Sequence, residues 1–355
     1  MSTEPIATFN SNEQSGQNSS IFDQLSKTMH ATIDNVRSIN EQVKTLAINA
    51  RIEASQAGSS GSAFGVVAQE MLALSTKTAR VAEELDIKTN DFNLIGEDVV
   101  GTRLADLALN NIDLIDRNLY ERTCDVRWWA TDASVVDALT KLTPQSASHA
   151  STRMKVILNA YTVYFDLVLC DTKGIIIANG RPDLYTVTGL NVAKSAWFSK
   201  AICKATGDEY GFQSAHVSPL VNHKLSLIYS CTVRREGKTN GAPIGVLGVI
   251  FNWETFSDAI LNGKKYDNPE LAETDRFIID PNGTIIASSR QLPASYTFPV
   301  SLFSTLFAKR SGYIHDYLDG NRVCIAQAIS PGFETYETGW HSIIVKPQPD
   351  VVAVM

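Results

Sequence analysis

Two stretches of the chain carry the same rhythm. The first runs Phe22, Leu25, Met29, Thr32, Val36, Ile39, Val43, Leu46 and Ala50, in alternating steps of three and four. The second runs Val67, Met71, Leu74, Thr78, Val81, Leu85, Lys88, Phe92, Ile95 and Val99, with Lys88 as its one interruption. Such a stripe is that of a coiled coil, carried here on two arms. Gly58, Ser59, Ser60 and Gly61 lie between the arms, and glycine takes the positive φ a chain reversal needs. The pattern predicts an antiparallel helical hairpin over residues 21–100.

Beyond Val99 the rhythm loosens around Gly96 and Gly101, then resumes through Leu104, Leu107, Ile112, Ile115 and Leu119. A helical glycine costs about 1 kcal/mol relative to alanine, so a kink or junction is expected there. The helix is then expected to continue to residue 142, with Leu119, Val126, Trp129, Val136 and Leu139 on one apolar face. Pro144 and the serine-rich segment after it should end that helix, with a second one at 152–161.

The alphabet then changes to strands and turns. FDLVLCDTKGIIIANG reads as strand, Asp-x-x-Gly turn, strand, and RFIIDPNGTIIASS repeats it, with Asp280 and Gly283 answering Asp171 and Gly174. An internal repeat of this kind predicts two similar lobes. After the first copy come a short helix with Trp197 and Phe198 and strands at 210–217, 224–234 and 243–253. After the second come a helix at 300–309 and strands at 312–318, 322–329 and 340–346. The expected fold class is α+β: a coiled-coil hairpin, a long helix, then a two-lobed domain of antiparallel sheets.

The tip of the hairpin resembles the signalling tip of bacterial methyl-accepting chemotaxis receptors. The resemblance rests on Asn49-Ala50, Ile52-Glu53-Ala54, Ala57-Gly58, Gly61, Phe64, Val66-Val67-Ala68, Glu70 and Leu74, which fall in register without a gap. It implies a four-helix dimeric bundle whose tip binds a chemotaxis histidine kinase and its coupling adaptor. The partner-facing positions it implies are Ile48, Asn49, Glu53, Phe64 and Val67. The chain departs from the family at Gln56, where an arginine serves trimer-of-dimers contacts, and at Arg51, Ser59 and Ser62-Ala63. An amide neither carries charge nor forks onto carboxylate, which puts trimer packing in doubt. Glu83-Glu84 stands like a methylation pair, but Ile87 occupies a small residue's place, and adaptation is not expected.

Residues 101–349 resemble a double Cache sensor domain, on LVLCDTKGIIIAN, AWFSKA, APIGVLGVIFNW and GWHSIIVKPQP. In amino-acid-sensing members an R-x-W-Y run holds the ligand carboxylate, and aromatics and acids hold the ammonium. Here Ser195 stands for the arginine, Trp197 for the tryptophan and Phe198 for the tyrosine. His216 and Ser218 stand for the aromatic and acid downstream, and Ile250 for the acid after the GVLGV strand. The charges that would neutralise a zwitterion are missing, and a buried unpaired charge costs several kcal/mol. A less charged small molecule is therefore expected, stacked on Trp197 and Phe198 and held by Tyr185, His216 or Tyr229. Trp197 serves equally well as a core residue.

Composition narrows the classes. Apolar residues make up 44% of the chain, ample for two or three cores, and a net charge of −7 without a basic block argues against nucleic acid. No apolar run approaches the roughly 20 residues a bilayer crossing needs, so no membrane insertion is expected. Residues 1–20 are polar, lack a signal peptide's basic start and apolar core, and are expected to be a disordered tail. Five scattered cysteines without CxxC spacing read as reduced thiols of a cytoplasmic protein. GSSGSAFG lacks the lysine ending of a phosphate loop, and His216 with His223 lacks the companions of a zinc site, so no metal, cofactor or enzymatic activity is expected.

The resulting expectation is a cytoplasmic homodimeric signal transducer: tail 1–20, signalling hairpin 21–100, ligand-sensing domain 101–350. Because the last strand is followed by the end of the chain, the signal is expected to enter through the helix from 101 to 142. Two alternatives stand beside it: a binding module that titrates the kinase adaptor, and a structural dimer whose sensor domain is empty.

Overall fold

The computed structural model describes residues 11–293 and 295–348. The chain divides into two units, one built on residues up to 103 together with 265–274, the other on residues 104–264 and those from 275 onward.

The first unit is the hairpin. Helix α1, Ser11–Gln56, begins inside the stretch expected to be disordered; residues 1–10 lie outside the described residues. A 3₁₀ turn, Gly58–Gly61, leads into α2, Ser62–Trp129. Gly58 has φ +60°, and a Cβ on Gly61 would stand 2.1 Å from the Ala54 carbonyl oxygen. One glycine supplies the conformation and the other the clearance that the tip needs.

The seam between the arms is not the whole stripe read from the sequence. Buried residues recur every seven positions: Ile33, Asn40, Ala47 and Ala54 on α1, then Ala68, Ser75, Ala82 and Thr89 on α2. Phe22, Met29, Val36, Val43 and Ala50 flank this line half-buried. Met71, Thr78 and Phe92 of α2 are half-buried as well, and the rest of the expected stripe stays outside, with Leu46 61% and Leu74 62% exposed, and Leu25, Ile39, Val67, Val81 and Ile95 exposed beside them. Small side chains let the two backbones approach, so they take the seam and the branched residues are left on the surface.

Neither Gly96 nor Gly101 breaks α2, which runs helical through both. A Cβ on Gly96 would meet the Phe22 ring at 3.6 Å, and Phe22 and Phe92 pack at 4.9 Å between ring centroids. At Gly96 the opposite arm packs against the helix and no break occurs.

In the second unit α2 lays a buried stripe of Leu104, Ala108, Ile112, Ile115, Leu119, Val126 and Trp129 onto the domain. The helix stops at Trp129 rather than continuing to residue 142. Asp132 caps the N-terminus of α3, Ala133–Lys141, accepting from the Ser134 amide at 2.8 Å. Pro144 does not end a helix either. It is the first residue of α4, Pro144–Ala160, with Thr143 and Ser146 forming a capping box before it.

Two five-stranded antiparallel sheets follow with the same strand order. The first comprises β1 (Tyr164–Asp171), β2 (Ile176–Asn179), β3 (Tyr210–Ser218), β4 (Lys224–Arg234) and β5 (Pro243–Phe251), ordered β2-β1-β5-β4-β3. The second comprises β6 (Asp275–Ile279), β7 (Ile285–Ser288), β8 (Ser311–Leu318), β9 (Asn321–Ile329) and β10 (His341–Pro347), ordered β7-β6-β10-β9-β8. The repeated turns are alike in detail. Asp171 Oδ1 accepts from the amides of Lys173 and Ile175, Asp280 Oδ1 from those of Asn282 and Thr284, each at 2.9 Å. Gly174 and Gly283 take φ of +79° and +85°. Helix α5, Ala196–Ile202, covers the first sheet, and α6, Trp253–Leu261, begins where a strand was expected to end.

Candidate functional site

At the hairpin tip the five partner-facing residues all lie on the surface. Phe64 is 71% exposed, and Ile48, Asn49, Glu53 and Val67 are exposed as well. Glu53 stands seven residues after Leu46 and Val67 seven before Leu74, so both continue the outward apolar columns. Ile48 and Asn49 are consecutive and diverge by about 100° around α1. Ile48, Ile52 and Leu72, with Arg51, Ser55 and Gln56, line a shallow groove of about 510 Å³ between the arms.

In the first sheet, four of the five expected ligand residues share a face and one does not. Tyr185, Trp197 and Phe198 belong to one buried cluster with Phe165, Ile228 and Ile250, and the Trp197 carbonyl accepts from Ser230 Oγ at 2.7 Å. His216 pairs with Ser226, in step with Ile228 and Ser230, and so lies on that side, partly exposed, its Nδ1 2.8 Å from the Ser214 carbonyl. Tyr229 is one residue out of step and points to the opposite side. There its hydroxyl lies 2.6 Å from that of Tyr336, among Tyr210 and Phe212. Burial against these rings pushes its pKa well above the usual tyrosine value. The expectation that Tyr229 joins Trp197 is thus corrected by the period of the strand.

Ser195, in the arginine's place, is the N-cap residue of α5, and Ile250, in the acid's place, is core. Ser218 caps the 3₁₀ turn after β3. One polar atom on this face escaped sequence reasoning: Ser226 Oγ is fully buried with no hydrogen-bond partner among the described residues. Nothing distinguished it beforehand from other strand serines.

Asp166 of β1 was also missed. It accepts from Asn179 Nδ2 at 2.7 Å and from the amides of Leu167 and Arg181 at 2.9 Å, yet burial still pushes its pKa up to about 6. Because the folded value exceeds the unfolded one, stability falls as pH rises from about 4 through 6, by roughly 2–3 kcal/mol for this group. Between pH 7 and pH 4.5 wild type should therefore gain about 2 kcal/mol relative to Asp166→Asn in urea unfolding. A difference unaffected by pH would remove the titration from Asp166.

Comparison with known proteins divides along the same lines. Residues 7–100 match the family model of the methyl-accepting chemotaxis protein (MCP) signalling domain. The methyl-accepting chemotaxis protein HlyB of Vibrio cholerae is 47% identical over 55 residues, 16% of this chain and 10% of its own length. The biofilm dispersion protein BdlA of Pseudomonas aeruginosa is 34% identical over 94 residues, 26% of this chain and 21% of its own. The matched segment thus spans a tenth to a fifth of these two relatives.

Among solved structures, the sensor domain of the V. cholerae histidine kinase DctB superposes with TM-score 0.51 at 14% identity, over 70% of this chain and 99% of that one. The sensory domain of the Campylobacter jejuni chemoreceptor Tlp3 with isoleucine bound superposes with TM-score 0.52 at 14% identity, over 69% and 91%. The second unit therefore shares the fold of these two sensor domains. No helix among the described residues is long and apolar enough to cross a membrane.

Proposed function

We propose that this chain is a cytoplasmic, dimeric, chemoreceptor-like signal transducer with no enzymatic activity. Its Cache-like unit senses a small molecule, and its hairpin contacts a chemotaxis histidine kinase and coupling adaptor. The observation that carries the reading is the hairpin tip. A segment matching the MCP signalling domain presents Ile48, Asn49, Glu53, Phe64 and Val67 to solvent, in the same polypeptide as a sensor fold. Exposed aromatics make strong interface anchors, worth about 2 kcal/mol or more. Phe64→Ala and Glu53→Ala should each weaken capture of purified adaptor and kinase by tenfold or more. Helicity by circular dichroism should not change, since neither side chain is packed. Undiminished capture by both variants would leave the hairpin as a dimeriser only.

The ligand belongs on the α5 face, against Tyr185, Trp197 and Phe198, with His216 at the margin. Ser195 and Ile250 offer no charge to a carboxylate or an ammonium, while the Ser226 hydroxyl favours a ligand with an uncharged hydrogen-bonding group. Single amino acids at millimolar concentration should therefore produce no thermal shift. A bound ligand raises stability by RT ln(1 + [L]/Kd), so a clear shift with any of them would refute this charge argument.

A further inference from the structure

The segment between β9 and β10, residues 330–340, forms a strap with three separate attachments inside the second unit. Its base is closed by the Ser330 amide on the Trp340 carbonyl at 2.7 Å. On the α2 side, Asp116 is fully buried, and its carboxylate accepts from Ser330 Oγ at 2.5 Å, the Gly332 amide at 2.9 Å and Thr338 Oγ1 at 3.0 Å. The Ser330 hydroxyl in turn accepts from the Thr338 amide, and the Thr338 hydroxyl from the Trp340 amide. One carboxylate thus organises the backbone at both ends of the strap. Next to it on α2, Arg117 stacks on the Phe333 ring at 4.6 Å, and a turn further Tyr120 meets that ring's edge at 5.4 Å.

The far side of the strap reaches the first sheet. Tyr336, paired through backbone bonds with Phe333, puts its hydroxyl 2.6 Å from that of Tyr229 on the inner strand β4. Trp340 packs between Phe212 of β3 and Trp253 of α6, at 6.5 and 5.5 Å. Gly332, Glu334 and Gly339 all take positive φ, so the strap follows a path few sequences would adopt. A carboxylate among donors and a hydroxyl pair between aromatic rings are buried polar contacts. Such contacts are made or broken as units, because a half-satisfied set costs more than none.

We propose that the 330–340 strap is a coupling element, latched to α2 by Asp116 and to the first sheet by Tyr336, so that a change at either attachment is felt at the other. A rearrangement of β4 on the first sheet then loosens or tightens the grip on α2, whatever the hairpin contacts. Within one buried network, removal of either end propagates, whereas independent contacts lose only their own energy.

The test is amide hydrogen exchange on the full chain, in wild type and in Asp116→Asn, Tyr336→Phe and Tyr229→Phe. Asp116→Asn presents an amide where Ser330 Oγ and the Gly332 amide donate. It should speed exchange of Gly332 and Thr338 by about tenfold or more and also speed exchange in β4, which Asp116 does not touch. Tyr336→Phe and Tyr229→Phe remove one hydroxyl each at the opposite end. Both should speed exchange of Gly332 and Thr338, which neither tyrosine hydroxyl contacts. If Asp116→Asn does not fold, the two tyrosine variants decide alone. Changes confined to the immediate neighbours of each substituted side chain would overturn the proposal and leave three independent packing contacts.

Discussion

If the chain is the dimer proposed above, replacing Ile39, Leu46 and Leu74 together by glutamate is expected to convert it to a monomer. All three are exposed on the single hairpin, so their loss leaves the inter-arm seam of Ile33, Ala47, Ala54, Ala68 and Ala82 untouched. They recur at heptad spacing on a surface that carries Leu25, Val67, Val81 and Ile95 in the same columns, too long an apolar stripe to leave in water. In the proposed dimer a second copy would cover such a stripe with its own, and twofold symmetry would count every substitution twice. At about 1.5–3 kcal/mol per buried branched side chain, association should weaken by more than a thousandfold. Sedimentation velocity checks the mass, and circular dichroism checks that the helices persist. A triple variant that remains dimeric would place the dimer contact elsewhere and remove the explanation for the stripe.

Trp197→Ala should be the most destabilising single truncation on the first sheet. The indole is 1% exposed and rests on Gly248, where a Cβ would approach Trp197 Cζ3 to 2.9 Å. Emptying a site of that size costs about 3–5 kcal/mol, visible in urea unfolding. Gly248→Ala overpacks the same contact from the other side and should cost about 1–3 kcal/mol. The double variant should cost less than the sum, because the added methyl enters the space the indole leaves. Strict additivity would mean that the two residues do not meet as described. The outcome also bears on sensing: a tryptophan that is 1% exposed and holds the fold together meets a ligand only where its neighbours make room.

The chain's local patterns, those set by neighbours in sequence, were legible directly. Heptad columns and a Gly-Ser-Ser-Gly break are enough to specify a hairpin, because helix periodicity and glycine conformations need no distant partner. The two Asp-x-x-Gly turns were legible for the same reason, since each is closed by its own aspartate and a left-handed glycine. The tip residues could be placed on the surface because a tight turn leaves its flanks uncovered.

What depended on partners far along the chain was not legible. Each heptad offers adjacent columns of comparable apolarity, and only the packing of one arm on the other chose the alanines for the seam and left Leu46 and Leu74 outside. The helix was expected to run through Asp132 and to end at Pro144, yet each stands at a helix start, and only the capping bonds tell which end of a helix such residues serve. Asp116 stood as one polar residue in the stripe of Ile112, Ile115 and Leu119. Its meaning came from Ser330, Gly332 and Thr338, more than two hundred residues away. Tyr229 was moved off the Trp197 face because strand side chains alternate, so its side followed from the paired strands and the helix that covers them. Sequence patterns fixed the elements, since each is stabilised within its own few turns. The faces those elements bury were decided by tertiary packing, since burial is a property of pairs of surfaces and no segment carries its partner with it.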